Sequence, residues 1–194
     1  MSSPEQIAAW IEQLDAPNTE QQAAARFQLA ALGEAAIAPL LRAAHTSDEW
    51  RIVWNAAVLL AETDDARVFA LMCDLLTSSN PLIGQVAAKA LARYGQPSLP
   101  VLMQALPHCH YMVQLSVVDT LEKLGDSQII PTLQQLLLTV DSSTLRYTII
   151  QALGHLGNAS TVATIQPFLQ DPDHHVRKRA GIAIARLTHQ STDH

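Results

Sequence analysis

Apolar and polar positions along this chain repeat at a nearly constant interval. Related five-residue segments, such as LAALG, LARYG and LEKLG, begin at positions 29, 60, 91, 121, 153 and 184, so successive segments lie 31, 31, 30, 32 and 31 residues apart. Around each segment apolar residues recur three and four positions apart, as in Leu145, Ile149, Ala152 and Leu156, which is the spacing of one face of an α-helix. The pattern predicts an array of helix pairs in which each pair covers the apolar face of its neighbour.

We call the helix that carries each segment a pentapeptide helix, and its limits can be predicted from polar residues and glycines. Eleven positions before each segment stand Asn18, Glu49, Asn80, His110, Ser142 and Asp173. Four of these six are residue types that cap helix N-termini, and Ser47 and Asp48 offer caps beside Glu49. Glycines in a left-handed conformation are expected to end four of these helices: Gly33, Gly95, Gly125 and Gly157. Four positions before each segment, mostly small residues should let neighbouring helices approach closely: Ala25, Ala56, Ala87, Val117, Ile149 and Ala180.

Both ends of the array need a separate interpretation. Ile7, Trp10, Ile11 and Leu14 follow helical spacing but have no matching copy upstream, so residues 3–16 are predicted to form an N-terminal capping helix. We expect residues 18–189 to hold the repeats, residues 190–194 to form a tail, and residues 1–194 to be one domain. In the fifth repeat, Ser160 is expected to cap the second helix and Asp171 to precede its end at Pro172.

Charge and cysteine content narrow the functional classes. The net charge is −6, and residues 1–97 carry 11 acids against 6 bases; this argues against nucleic-acid binding, which needs a basic surface. Cys73 and Cys109 form no paired motif, which favours a reducing compartment. The sequence contains no secretory signal pattern and no apolar run long enough to span a bilayer. We therefore expect a cytoplasmic protein.

The repeat resembles the HEAT repeats, specifically the short subclass named after phycobilisome lyases. The matching segments are DHHVRKRAGIAIARL at 173–187, LRYTIIQALGHLGN at 145–158 and LGDSQIIPTLQQLL at 124–137. The resemblance extends over almost the whole chain after the first helix. It implies an all-α fold, an α-solenoid of about six helix pairs, in which the pentapeptide helices line the concave side. Some members of this subclass look like bilin lyase subunits, which attach or detach tetrapyrroles on light-harvesting proteins, and others are scaffolds.

Two columns of the aligned pentapeptide helices suggest a binding surface. The positions six and two residues before each segment share a helix face that lies off the main apolar stripe. That face nevertheless carries large apolar side chains, and exposed clusters of this kind mark binding surfaces. The candidate partner-binding residues are Phe27, Trp54, Val58, Leu115 and Tyr147. The alternative is that these side chains pack against neighbouring helices or the N-terminal cap.

Polar motifs have structural explanations that we prefer. His108-Cys109-His110 lacks a second ligand pair at zinc spacing, so we interpret it as an inter-helix turn with His110 at a helix start. The basic run at 177–179 can contact an acidic partner or a tetrapyrrole propionate, but such runs are usually solvated. We expect Arg146 and Arg177, both seven positions before a segment, to bond carbonyls or acids between repeats.

No catalytic motif and no metal site is found in the sequence. Our first hypothesis is therefore a non-enzymatic scaffold that holds a protein partner on its concave helical face, without a cofactor. The alternative is a phycobilin lyase subunit or lyase-like chaperone with a bound phycobilin. Its partner would be a phycobiliprotein or a second HEAT-repeat subunit.

Overall fold

The structure is a computed structural model that describes residues 2–190, and every regular element within them is helical. Its contacts divide the chain into two compact units, Met1–Tyr94 and Gly95–His194. Each unit contains three helix pairs. The proposed tail falls largely on residues 191–194, which lie outside the described residues, and α12 reaches Gln190. That residues 1–194 act as a single domain stays a prediction.

Unit 1 consists of three antiparallel helix pairs, and each pair packs on the next. Helix α1 packs on α2, α3 on α4 and α5 on α6, while α4 contacts both α2 and α6. The helices are α1 (Pro4–Glu12), α2 (Thr19–Ala31), α3 (Glu34–Thr46), α4 (Trp50–Leu60), α5 (Ala66–Leu75) and α6 (Pro81–Leu91).

Unit 2 repeats this arrangement with shorter first helices. Helix α10 lies between α8 and α12 and also packs on α9. The helices are α7 (Leu99–Ala105), α8 (Tyr111–Leu124), α9 (Ile130–Leu137), α10 (Ser143–Leu156), α11 (Val162–Ile165) and α12 (His174–Gln190). Within residues 2–190, no helix is both long and apolar enough to cross a membrane.

The core follows the repeat as predicted. The pentapeptide helices are α2, α4, α6, α8, α10 and α12. The column four positions before each segment is buried in all six, with no side chain more than 1% exposed: Ala25, Ala56, Ala87, Val117, Ile149 and Ala180. Small side chains in this column bring helix backbones together, and the larger leucines beside them fill the remaining space.

Helix starts also match the polar column. Asn18, Asn80, Ser142 and His110 each accept a backbone N–H of their own helix, so the prediction that His110 begins a helix is confirmed. Asp173 accepts the N–H groups of His175 and Val176, and the His175 bond is the main cause of the lowered pKa of its carboxyl.

The N-terminal cap is held at its carboxyl end. Ser3 caps α1, yet no residue of α1 is buried. The buried residue is Leu14, and its carbonyl accepts both the Gln22 amide at 2.8 Å and the Asn55 amide at 3.1 Å. Two pentapeptide helices thus bind the same carbonyl, which fixes the end of the cap.

The position seven residues before the segment has the same structural role in four of the six repeats. Gln22 donates to the carbonyl of Leu14 and Gln114 to the carbonyl of Leu106. Each carbonyl lies eight residues earlier in the chain, before the start of the pentapeptide helix that holds the glutamine. Arg146 donates to Asp141 O at 2.8 Å and Arg177 to Asp171 O at 2.6 Å. The structural role predicted for the two arginines is therefore confirmed, and two glutamines share it.

Arg146 also forms the most buried ion pair that the described chain contains. Its Nε lies 2.7 Å from one carboxylate oxygen of Asp171, and its Nη2 lies 3.2 Å from the other. The side chains are 16% and 4% exposed. The pair connects α10 to the turn before α12, which explains why Asp171 is buried rather than only preceding a helix stop.

Two local predictions in the fifth repeat are wrong. Gly157 ends α10 with φ −74° and an extended backbone, not a left-handed one. Glycine is needed there because a Cβ would lie 2.5 Å from the Leu153 carbonyl oxygen. The next helix is capped by Asn158, not Ser160, through a capping box with Thr161. Helix α11 then lasts only four residues, since Pro167 lacks the N–H that would extend it.

We expect Arg146→Ala to lower the free energy of unfolding by about 3 kcal/mol, because it leaves the buried Asp171 carboxylate without its counter-ion. Urea unfolding followed by circular dichroism measures this change. The matched control is Arg67→Ala, which removes a pair of the same two-bond geometry from Asp65, where the guanidinium side chain is 61% exposed; little change is expected there. Equal losses in the two variants would contradict the prediction.

A second prediction concerns Gly154, where α10 approaches α12. A Cβ at this position would lie 2.7 Å from Ala183 Cβ, so Gly154→Ala must push the helices apart. We expect a loss of about 1–3 kcal/mol from overpacking, although alanine favours helices over glycine by about 1 kcal/mol. Thermal unfolding of Gly154→Ala and of the double variant Gly154→Ala/Ala183→Gly tests the cause, because the second change should restore stability.

Candidate functional site

The three unit 1 candidates lie on two adjacent pentapeptide helices. Phe27 projects from α2 with 72% of its side chain exposed, while Trp54 and Val58 on α4 are half-buried. The guanidinium carbon of Arg26 lies 6.0 Å from the Trp54 ring centroid, so the two helices share this face. We call Phe27, Trp54 and Val58 the unit 1 patch.

Other aromatic side chains of unit 1 differ in their surroundings. Trp50 begins α4 and is 41% exposed, with the Arg51 guanidinium carbon 5.1 Å from its ring centroid. Trp10 on α1 is half-buried and lines a groove beside Ala24 and Gln28 of α2. The sequence columns did not include Trp50, because they were taken six and two positions before each segment and Trp50 lies one turn earlier, at the first position of α4.

The two unit 2 candidates are half-buried. Leu115 lies on α8 and Tyr147 on α10. The Arg179 guanidinium carbon lies 4.4 Å from the Tyr147 ring centroid, and its Nη2 donates a hydrogen bond to the Tyr147 hydroxyl. Tyr147 therefore holds an arginine of the next pentapeptide helix, a role that its position in an apolar column does not reveal.

A small recess opens between α10 and α12 beside this contact. We call it the unit 2 recess, and its lining residues are Gln151, Gly154, His155, Arg179, Ile182, Ala183 and Arg186. Its walls come close together because Gly154 meets Ala183. On the α8 side, the Glu122 carboxylate accepts the Gln151 amide at 3.3 Å and contacts His155 Nδ1.

Helix α12 has an unusual charge distribution. It carries four cations and no acid: Arg177, Lys178, Arg179 and Arg186. Within residues 2–190 none of the four forms an ion pair, whereas five other Lys and Arg residues do: Arg51, Arg67, Arg93, Lys123 and Arg146. The basic run was visible in the sequence. The recess that Arg179 and Arg186 line was not visible, because it depends on how α12 packs against α10.

The chemistry available elsewhere in the described residues is limited. Residues 2–190 hold no group of three or more His, Cys, Asp or Glu side chains placed to bind a metal ion. Cys73 and Cys109 form no disulfide and are half-buried, and burial raises the pKa of both thiols. The arrangement thus offers binding surfaces: an apolar patch in unit 1 and a cationic recess in unit 2.

Similarity to known proteins agrees with the helical repeat. Over 117 residues the chain is 32% identical to the phycocyanobilin lyase subunit alpha of Picosynechococcus sp., covering 54% of this chain and 44% of that protein. The chain therefore spans less than half the length of this curated relative.

Solved structures share the fold at low sequence identity. The chain matches YibA of E. coli with a TM-score of 0.70 and 15% identity, covering all of this chain and 80% of YibA. It matches the CpcE–CpcF complex of phycocyanin lyase from Nostoc sp. with a TM-score of 0.62 and 21% identity, covering 79% and 65% of the two chains. These matches confirm the predicted all-α solenoid class.

The family model of HEAT repeats matches this chain over three overlapping stretches, residues 7–92, 71–151 and 130–193. Together they cover all six pentapeptide helices, including those whose segments depart most from the pattern. This chain belongs to the HEAT-repeat family.

Proposed function

We propose that this protein is a protein-binding HEAT-repeat subunit whose unit 1 patch contacts the partner. The observation that carries the proposal is Phe27, a large apolar residue that is 72% exposed on α2. It follows Arg26 in the sequence, and the Arg26 guanidinium carbon lies 6.0 Å from the Trp54 ring centroid. Burying such a side chain is worth about 1.5–3 kcal/mol, and this gain is left unused within unit 1.

The residues around Phe27 have the composition of an interface centre. Trp and Arg are enriched among the residues that dominate binding energy, and here Arg26 lies over Trp54 on the same face. Both helices are anchored by fully buried columns, through Ala25 and Ala56. A rigid backbone under exposed anchors reduces the entropy lost on binding.

A second candidate function is that of a bilin lyase subunit or lyase-like chaperone. It is favoured by the 32% identity to a phycocyanobilin lyase subunit alpha, and the similarity to the CpcE–CpcF complex is compatible with a second subunit as partner. In that case the bound protein is a phycobiliprotein or a second HEAT-repeat subunit, and the cofactor handled is a phycobilin. Because the match covers only part of the relative, this activity is tested separately from binding.

The first experiment tests the unit 1 patch. The double variant Phe27→Ser/Trp54→Ala should capture at least about tenfold less partner from an extract of the source organism than the unchanged chain, because two anchor side chains are lost. Quantitative mass spectrometry of the eluates measures the amount of partner captured, and circular dichroism checks the helical content.

The matched control for this capture is Leu138→Ser, which removes another large apolar side chain that is 67% exposed but lies outside the unit 1 patch. Leu138→Ser should retain the partner. If the double variant captures as much as the control, the unit 1 patch is not the binding surface.

The second experiment tests the lyase candidate. Co-expression of this chain with phycocyanobilin, an unmodified phycobiliprotein subunit and a second HEAT-repeat subunit should give a covalently coloured client. Visible fluorescence of the client band in a denaturing gel measures attachment. The lyase candidate would be excluded if the client is coloured equally without this chain, or is not coloured in its presence. If this chain then still captures the uncoloured client, only the binding function is supported.

A further inference from the structure

The cations of α12 stand apart from the rest of an acidic chain. The protein has a net charge of −6, yet α12 holds four Lys and Arg residues and no acid. Arg177 is used structurally, since it donates to the carbonyls of Asp171 and Pro172. Lys178 is exposed and is not among the lining residues of the unit 2 recess, whereas Arg179 and Arg186 both line that recess.

Arg179 is held in a fixed position but keeps an unused donor. Its guanidinium stacks on Tyr147 and donates from Nη2 to the tyrosine hydroxyl. Its Nε is buried and has no hydrogen-bond acceptor among the described residues. A buried N–H without an acceptor costs about 1–3 kcal/mol, and stacking limits the side-chain entropy that a ligand would otherwise have to remove.

The neighbouring groups leave the recess positively charged. The lining residues of the recess include no acid. Glu122 on α8 contacts two of them, since its carboxylate accepts the Gln151 amide and contacts His155. Arg186, two turns after Arg179 on the same helix, is exposed and has no ion pair within residues 2–190. Two guanidinium groups, those of Arg179 and Arg186, therefore line a recess that has no acid among its lining residues.

We propose that Arg179 and Arg186 form a carboxylate-binding subsite in the unit 2 recess, with Tyr147 as a positioning residue. Planar guanidinium groups bind carboxylates through paired hydrogen bonds, and the recess admits a group of that size rather than a whole ring system. The carboxylate comes either from an acidic residue of a protein partner or from the propionate of a tetrapyrrole. The inference rests on the proposed function because it names a chemical group of the bound partner or cofactor.

The test uses the full chain and two pairs of probes. The first pair is a hexaglutamate peptide and a hexaglutamine peptide, each carrying an uncharged fluorescent dye and followed by anisotropy. The second pair is biliverdin and its dimethyl ester, followed by absorbance. The variants are Arg179→Gln, Arg186→Gln and the control Lys178→Gln, which removes the same charge from the same helix outside the recess.

We expect a carboxylate probe to bind and its neutral analogue not to bind. Arg179→Gln and Arg186→Gln should each weaken that binding about 10- to 100-fold, and Lys178→Gln by less than about threefold. Binding of the peptide alone identifies a protein carboxylate, and binding of biliverdin alone identifies a propionate. Arg186 is exposed, so its variant stays informative if Arg179→Gln fails to fold.

Three results would overturn the subsite: no binding of either acidic probe, equal binding of the neutral analogues, or a loss in Lys178→Gln as large as in Arg186→Gln. The unit 1 variant Phe27→Ser/Trp54→Ala is included in the same assay. It should lose the protein partner and keep probe binding, so failure of the unit 1 patch and failure of the subsite give different results.

Discussion

Close approach between successive pentapeptide helices is the constraint on which both units depend. Within each unit the column four positions before the segments is fully buried, and no helix pair could cover its apolar stripe without the neighbour that this column admits. At Gly154 the requirement is strictest, since even one methyl group would collide with Ala183. The depth of the unit 2 recess and the position of Arg179 are consequences of that contact.

The fold could be predicted from the sequence because its repeat is a packing repeat. Each pentapeptide helix was located from the sequence. At five of the six polar helix starts, the side chain accepts a backbone N–H of its own helix. The roles of Arg146 and Arg177 followed from their shared column. The misses were local. The extended Gly157 depends on the carbonyl of Leu153 one turn earlier, and the short α11 depends on Pro167. Neither contact has a periodic signature.

The candidate site could be predicted only in part, for a related reason. Comparison of the positions six and two residues before each segment found residues on a shared face, and Phe27 is exposed there. It could not show that Tyr147 is already in contact with Arg179, because the contact spans 32 residues and depends on side-chain conformation. The two faces that result differ in chemistry: unit 1 offers apolar area, which gives affinity, and unit 2 offers directed donors, which give selectivity for charge and geometry.

The attachment of the N-terminal cap has a consequence for how this end of the protein opens. Leu14 is buried and its carbonyl is bound by side chains of α2 and α4, whereas α1 before it has no buried residue. Local opening has its lowest free energy where few apolar contacts must be broken. We therefore expect the amide hydrogens of α1 to exchange for solvent deuterium earlier than those of α2, with the Leu14 contacts as the point where this opening stops.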